Sequence, residues 1–390
     1  MRGATSVSVV DCTFSNNTSG TSGGGLLAHN SPVTITGCSF VGNDARWGGG
    51  LRWLAFGMSA TLENCSFAGN HATEEGGAVN ASRGSVSLAN CTLANNTAFG
   101  IVGAGFGGAI YCSAGIIALS SCELSGNSAN QGGAVWGRLT TGTIDDCTFH
   151  DNGAGLGGVM YWTVSSPTIS GCTLAQNSAA VVSGLVALQN TTAVISNTII
   201  AMNVGPGESV FCDAGSLPIL SCVDIFGNEG GDWTGCVAGQ LGINGNFSAD
   251  PVFCAPAADD FTLAEISPCA PAHSPAGCGL IGSLPVACVG PIGIADEEAA
   301  PSRPTTLRVW PNPVASATAW IEWTVPLGGS SLLKLYDAQG RLVLSRPAGG
   351  GEGGLQRLTW FELTGGSRIA AGVYFLDAGV GRMERVILLR

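Results

Sequence analysis

The sequence predicts an all-β chain: a parallel β-solenoid of about nine coils over residues 1–288, then a small β-sandwich over residues 305–390. Three observations predict it. A Cys-centred motif returns at intervals near 25 residues, a Gly pair returns in step with it, and the last 90 residues change to short alternating runs without cysteine. The composition agrees. The chain has 390 residues, 45% of them hydrophobic and 11% charged, with 60 Gly and 15 Cys. That is too apolar for a disordered chain, and the Gly lack the three-residue period of collagen. The net charge of -12 argues against a nucleic-acid partner, which calls for a basic face. Residues 1–300 hold 21 of the 27 acidic and 5 of the 15 basic residues, so the remainder is net basic and the chain divides near residue 300.

The coil motif is a Cys followed by Thr, Ser or Glu and then Phe or Leu, at Cys12, Cys38, Cys65, Cys91, Cys122, Cys147 and Cys172. Asn197 and Cys222 continue the 25-residue count. Three residues before each stands an apolar residue, from Val9 and Ile35 to Val194 and Ile219. Five residues after each of the seven Cys stands an Asn: Asn17, Asn43, Asn70, Asn96, Asn127, Asn152 and Asn177. Gly pairs follow, among them Gly76-Gly77, Gly107-Gly108 and Gly132-Gly133. Period-two alternation means strands, and Gly, Asn and Asp at fixed positions mean corners. Each coil therefore reads as three short strands, stacked about 4.8 Å from the next, so that thiols, Phe rings and Asn amides form ladders. A longer interval before Cys122 places a loop near Ala98–Phe106. The thiol ladder shares the inward parity of the Phe positions and reads as core rather than as a metal site.

FSNN (14–17), FVGN (40–43), FAGN (67–70) and GGAV (76–79), GGAI (107–110), GGAV (132–135) resemble the FxxN and GGA[ILV] repeats of chlamydial polymorphic outer-membrane proteins and of bacterial right-handed parallel β-helix proteins. The resemblance implies a right-handed β-helix over roughly residues 5–230. No signal peptide is visible, and the chain opens inside a repeat, so the expectation is that N-terminal coils and a leader are missing. The charge-poor stretch between Asp151 and Glu208 is too rich in Gly, Ser, Thr and Asn for a membrane helix, so no transmembrane segment is expected.

Cys212, Cys236, Cys254, Cys269, Cys278 and Cys288 lie outside the period. They could pair in an exported protein, with Cys269–Cys278 a neighbouring choice, but spacing alone leaves the pairing open. The segment 249–272 resembles the tail that closes secreted bacterial β-helices, so residues 230–288 are expected to cap the open end of the solenoid.

Residues 289–304 read as a linker, and seven alternating runs follow between Leu307 and Leu389. Pro311-Asn312-Pro313, LYDAQGR (335–341, with Asp337, Gly340 and Arg341), Trp360 and AGVYFL (371–376, with Gly372 and Tyr374) resemble the type A sorting domain of the type IX secretion system. That resemblance implies an immunoglobulin-like sandwich, export across an outer membrane by the secretion machinery, and a secreted or cell-surface location. Arg385 and Arg390 stand where such tails often carry Lys.

The strand after the Gly pair presents one side chain in two to solvent. Leu51, Val79, Ile110, Val135 and Met160 alternate inward, so Arg52, Asn80, Tyr111, Trp136 and Tyr161 face outward, with Arg138 two residues beyond Trp136. An exposed aromatic ladder beside Arg is suited to sugar rings, and the alternative is that stacked aromatics simply stabilise neighbouring strands. Neither outward row holds a carboxylate, whereas glycoside hydrolysis calls for two. Glu74-Glu75 read as a solvated turn. Asp145, Asp146, His150 and Asp151 form the densest acidic group, in which Asp146 reads as a corner residue and Asp151 precedes the ladder residue Asn152. The expectation is a passenger that acts in adhesion, in glycan or surface binding, or as a structural coat, with no catalytic residue, no metal and no cofactor. The alternative is a polysaccharide-degrading enzyme, pectate-lyase-like or a glycosidase, whose site is incomplete in this chain.

Overall fold

The structure, a computed structural model, describes residues 6–100, 105–180 and 184–289, and in the C-terminal part residues 307–310, 320–325, 330–337, 341–350, 354–364, 369–370, 372–377 and 383–388. The chain forms two compact units, Met1–Ile292 and Gly293–Arg390.

The first unit is a parallel β-solenoid, but each coil carries four short strands rather than three. In the coil that starts at Leu51 they are Leu51–Leu54, Ser59–Glu63, Ser66–Ala68 and His71–Glu75, here the first to fourth faces. The faces stack into parallel sheets of eight, nine, nine and seven strands among the described residues. The fourth face escaped the alternation pattern because each of its strands sends one small residue inward: Ala72, Ala98 and Ala129 make a separate buried cluster. A left-handed residue stands at each of the four corners, for example Asn64, Gly69, Gly76 and Arg83. The Gly pairs have a further reason. A Cβ on Gly133 would lie 2.1 Å from the Gly158 carbonyl oxygen, so neighbouring coils approach too closely there for any side chain. The longer interval before Cys122 falls on the fourth face, although residues 101–104 lie outside the described ones.

The ladders form as their spacing predicts. Phe14, Phe40 and Phe67 stack with centroids 4.8 and 4.6 Å apart. Asn127 shows the amide pattern. Its Nδ2 donates to the Leu93 carbonyl (2.8 Å) and to Asn152 Oδ1 (3.0 Å), and its Oδ1 accepts from Asn96 N (2.9 Å) and Nδ2 (3.0 Å). The Asn column runs two coils further than the spacing suggested, through Asn203 and Asn228, and ends on the Asp232 carboxylate (2.9 Å). Cys12, Cys38, Cys65, Cys91, Cys122, Cys147 and Cys172 are all free thiols, buried except Cys12. They donate to nearby carbonyls, as Cys65 does to Glu63 O (3.3 Å). Burial holds the Cys172 thiol up at about 12, so it stays protonated.

After Cys172 the sequence register is one residue off. Thr173 pairs with Ile199 and Ile199 with Asp224, so Thr198 and Val223 occupy the thiol column, not Asn197 and Cys222. Val194 and Ile219, counted with the apolar residues three before the motif, are exposed, while Ile195 and Leu220 are buried. A one-residue slip exchanges the two sides of a strand. Cys222 thereby falls on a corner with φ 53°, where it can reach a partner outside the coil.

It does so. The described disulfides are Cys212–Cys236, Cys222–Cys278 and Cys254–Cys288. Cys269 is free, which overturns the Cys269–Cys278 choice. The capping expectation is also corrected. The stretch from Trp233 through the 3-10 turn Gly235–Gln240 to Phe247 covers the end, with Val237 buried in the solenoid core and Phe247 paired with Asp224 on the last strand. Residues 249–288 instead run as a strap along the third face. There Phe253, Phe261, Leu263, Cys269, Cys278 and Ile281 bury Ala175, Ile199 and Ala201. Late coils carry small and apolar residues on the outside of that face, and burying them drives the strap down.

The second unit has two antiparallel sheets. One joins Leu307–Trp310, Trp320–Val325 and Gly354–Thr359, and the other joins Ser330–Asp337, Leu342–Gly350, Gly372–Asp377 and Met383–Leu388. Val309, Ile321, Leu333, Leu335, Tyr374, Leu376 and Val386 share one core with Trp360 and Leu363. The run 355–361 is not strand throughout. A helical turn, Trp360–Thr364, starts at Thr359, whose hydroxyl accepts from Glu362 N while the Glu362 carboxylate accepts from Thr359 N. Tyr374 donates its hydroxyl to the Ala370 carbonyl at 2.8 Å. Pro311, Asn312, Pro313 and Gly340 lie outside the described residues, as do residues 290–304 of the expected linker.

Candidate functional site

The outward row of the first face is one continuous column. Arg52 pairs with Asn80, Asn80 with Tyr111, Tyr111 with Trp136 and Trp136 with Tyr161, each in direct register. Tyr111 and Trp136 stack at 4.9 Å with planes 4° apart, and Trp136 and Tyr161 at 6.4 Å. Arg138 stands exposed at the end of the Trp136 strand.

The expected exposure of this ladder is corrected. Asn80 is fully buried, and Tyr111 and Trp136 are only 8% and 7% exposed. A second column covers them. The residues before the Gly corner, Ser22, Trp47, Glu75, Phe106, Gln131 and Leu156, are also in register with one another. The two columns interlock. Arg52 donates to Ser22 Oγ (2.6 Å) and lies 4.5 Å over the Trp47 ring. Asn80 Nδ2 donates to Glu75 Oε2 (3.0 Å), Trp136 Nε1 donates to Gln131 Oε1 (3.3 Å), and Phe106 meets Trp136 at 5.1 Å. Tyr161, half-buried, donates to Gln189 Oε1 (3.0 Å). A polar and aromatic stripe thus runs along the solenoid axis for about 19 Å from Arg52 to Tyr161 at the usual strand spacing.

Glu75 belongs to this stripe and not to a solvated turn. Burial pushes its carboxyl above the usual carboxylate range, against the pull of the Asn80 hydrogen bond and the Arg52 charge. Burial, with Glu75 beside it, pushes the Tyr111 phenol up to about 12. Burial also lowers the Arg52 guanidinium, while Glu75 opposes the shift. Glu74 points away and pairs with Arg46 at 2.9 Å. A search for the residue directly before each Gly corner would have found this column. No shared residue type marked it.

A second cluster lies under the strap. His150 Nδ1 is 2.8 Å from Asp151 Oδ2, and Nε2 is 3.2 Å from Glu123 Oε1. Asp259, from the strap, brings a carboxylate to the same place. Asp146, expected at a corner, occupies one (φ 52°), Asp151 also lies in the left-handed region (φ 55°), and Asp145 accepts from Ser170 Oγ (2.6 Å).

Four parallel faces, ladder side chains and an outward stripe define a β-helix repeat protein. The family described as right handed beta helix region matches residues 1–114 and 107–247, and the chain belongs to that family. A search of curated proteins found no relative that matches this chain. No helix among the described residues is long and apolar enough to cross a membrane.

Proposed function

We propose that the solenoid is a secreted or surface-displayed passenger that binds an extended glycan over the accessible end of the stripe, at Arg138, Tyr161 and Gln189. The observation that carries this reading is the register of the row. Arg138, Thr163 and Gln189 stand in register at strand spacing beside Tyr161, a straight line of polar groups that suits a polymer of repeated hydroxyls. Because Tyr111 and Trp136 are covered, binding rests on the accessible members, Arg138, Tyr161 and Gln189, with the buried pair holding them in place. The three disulfides support an oxidising location outside the cytosol. The C-terminal unit is proposed as the immunoglobulin-like sandwich of a sorting domain. Its support is the two antiparallel sheets over one core and the resemblance of residues 335–341 and 371–376.

Glu75 favours a second reading, a polysaccharide-degrading enzyme. A carboxyl held above its usual range beside Asn80 and Tyr111 could give or take a proton. A single carboxylate leaves the second role of a glycosidase unfilled, so binding is preferred.

A glycan array and a polysaccharide panel test the reading. Arg138→Ala and Tyr161→Ala are expected to weaken retention about tenfold each without lowering the melting temperature. Unchanged retention in both removes the stripe as a binding site.

A further inference from the structure

We propose that the pocket between the third face and the strap binds one divalent first-row transition-metal ion through His150, Asp151 and Asp259. One ligand atom from each of these residues lies within 4.8 Å of the others. A metal about 2.0–2.2 Å from each donor spaces them by up to about 4.2 Å, so a small rotation of the two exposed carboxylates closes the site. The imidazole is the fixed point. His150 is 7% exposed, lines a cavity of about 580 Å³, and is held by Phe261 at 5.4 Å.

Two further features single out this place. The cavity lining includes the carboxylates Glu123, Asp146 and Asp259 and no Lys or Arg, so the His150 imidazole is the one lining group that can carry a positive charge among them. The donors also come from two distant parts of the chain, a solenoid strand and the strap, so an ion bound to all three ties the strap to the coils. The chemical class follows from the donors. One imidazole with carboxylates suits zinc, manganese or cobalt, whereas calcium and magnesium prefer all-oxygen shells. With Nδ1 on the metal in place of the proton shared with Asp151, Nε2–H donates to Glu123, the usual carboxylate–histidine–metal support. Binding releases that proton, and no electron transfer is involved. Thr148 and Ser283, whose hydroxyls meet at 2.8 Å, line the same cavity.

The test is titration of the full, disulfide-intact chain with Co²⁺ after chelator treatment, followed by visible absorption and melting temperature. Expected are weak bands of nitrogen and oxygen ligation that saturate at one equivalent, with a rise in melting temperature. Asp259→Asn, an exposed change that leaves the core alone, is expected to weaken binding about tenfold or more and to remove the rise. His150→Gln is expected to abolish both. Absence of saturable binding, full binding by Asp259→Asn, or an intense near-ultraviolet thiolate band each overturns the site. The last outcome would place the ion on a free cysteine.

Discussion

Asn127 holds four hydrogen bonds in the buried amide column, two donated by its Nδ2 and two accepted by its Oδ1. Asn127→Ala leaves the Asn96 N–H and amide and the Leu93 carbonyl buried without those partners. A loss on the order of 3 kcal/mol is expected from such orphaned groups, read as a lower chemical-denaturation midpoint. Glycines divide by what surrounds them. Gly133→Ala sets a Cβ against the Gly158 carbonyl and should disrupt the stack, whereas Gly69→Ala meets open space and suffers only its positive φ. A melting comparison of the two separates inter-coil contact from conformational cost. Equal losses would mean that the close approach is unimportant. Asp224 gives a pH signature. Burial raises its carboxyl to about 7, against the Ala249 N–H it accepts. The native state therefore binds the extra proton between about pH 4 and 7, and stability falls as pH rises through that window. Asp224→Asn is expected to flatten this dependence and to be the more stable form at pH 8. An unchanged slope would assign it to another group.

At the scale of elements, legibility followed how many residues of a strand face the core. The second and third faces were readable because Ile35, Leu62 and Leu88, or Phe40, Phe67 and Leu93, alternate with polar neighbours and are fully buried. The fourth face was not, since one Ala per coil makes no pattern. The last two coils were read one residue out because the count was tied to Asn197 and Cys222 after the thiol ended, while burial follows Thr198 and Val223. In the candidate site the row itself followed from strand parity. Its covering column did not, because Trp47, Glu75, Phe106 and Gln131 share a position but no chemistry. The strap was invisible for a different reason: its partners on the third face lie far away in sequence, as Gln176 does from Pro256, whose carbonyl accepts from it at 2.9 Å. Cys222→Ser with Cys278→Ser is expected to loosen the strap while the coils persist. Limited proteolysis should then cut within residues 249–288 first. Resistance equal to wild type would show that apolar contact alone holds it.

For the whole molecule, the solenoid turns repetition into a straight line of side chains, and that line is what the proposed function uses. Low charge, many Gly and stacked amides build the scaffold, while the proposal gives the specificity to the accessible end of the outward stripe. The most direct test incubates the protein with a polysaccharide that it retains and measures retention and new chain ends together. A binder predicts tight retention, lost in the Arg138→Ala, Tyr161→Ala double variant, with the polymer length unchanged. Shortening of the polymer that stops in Glu75→Gln would contradict this account and establish an enzyme at the same stripe.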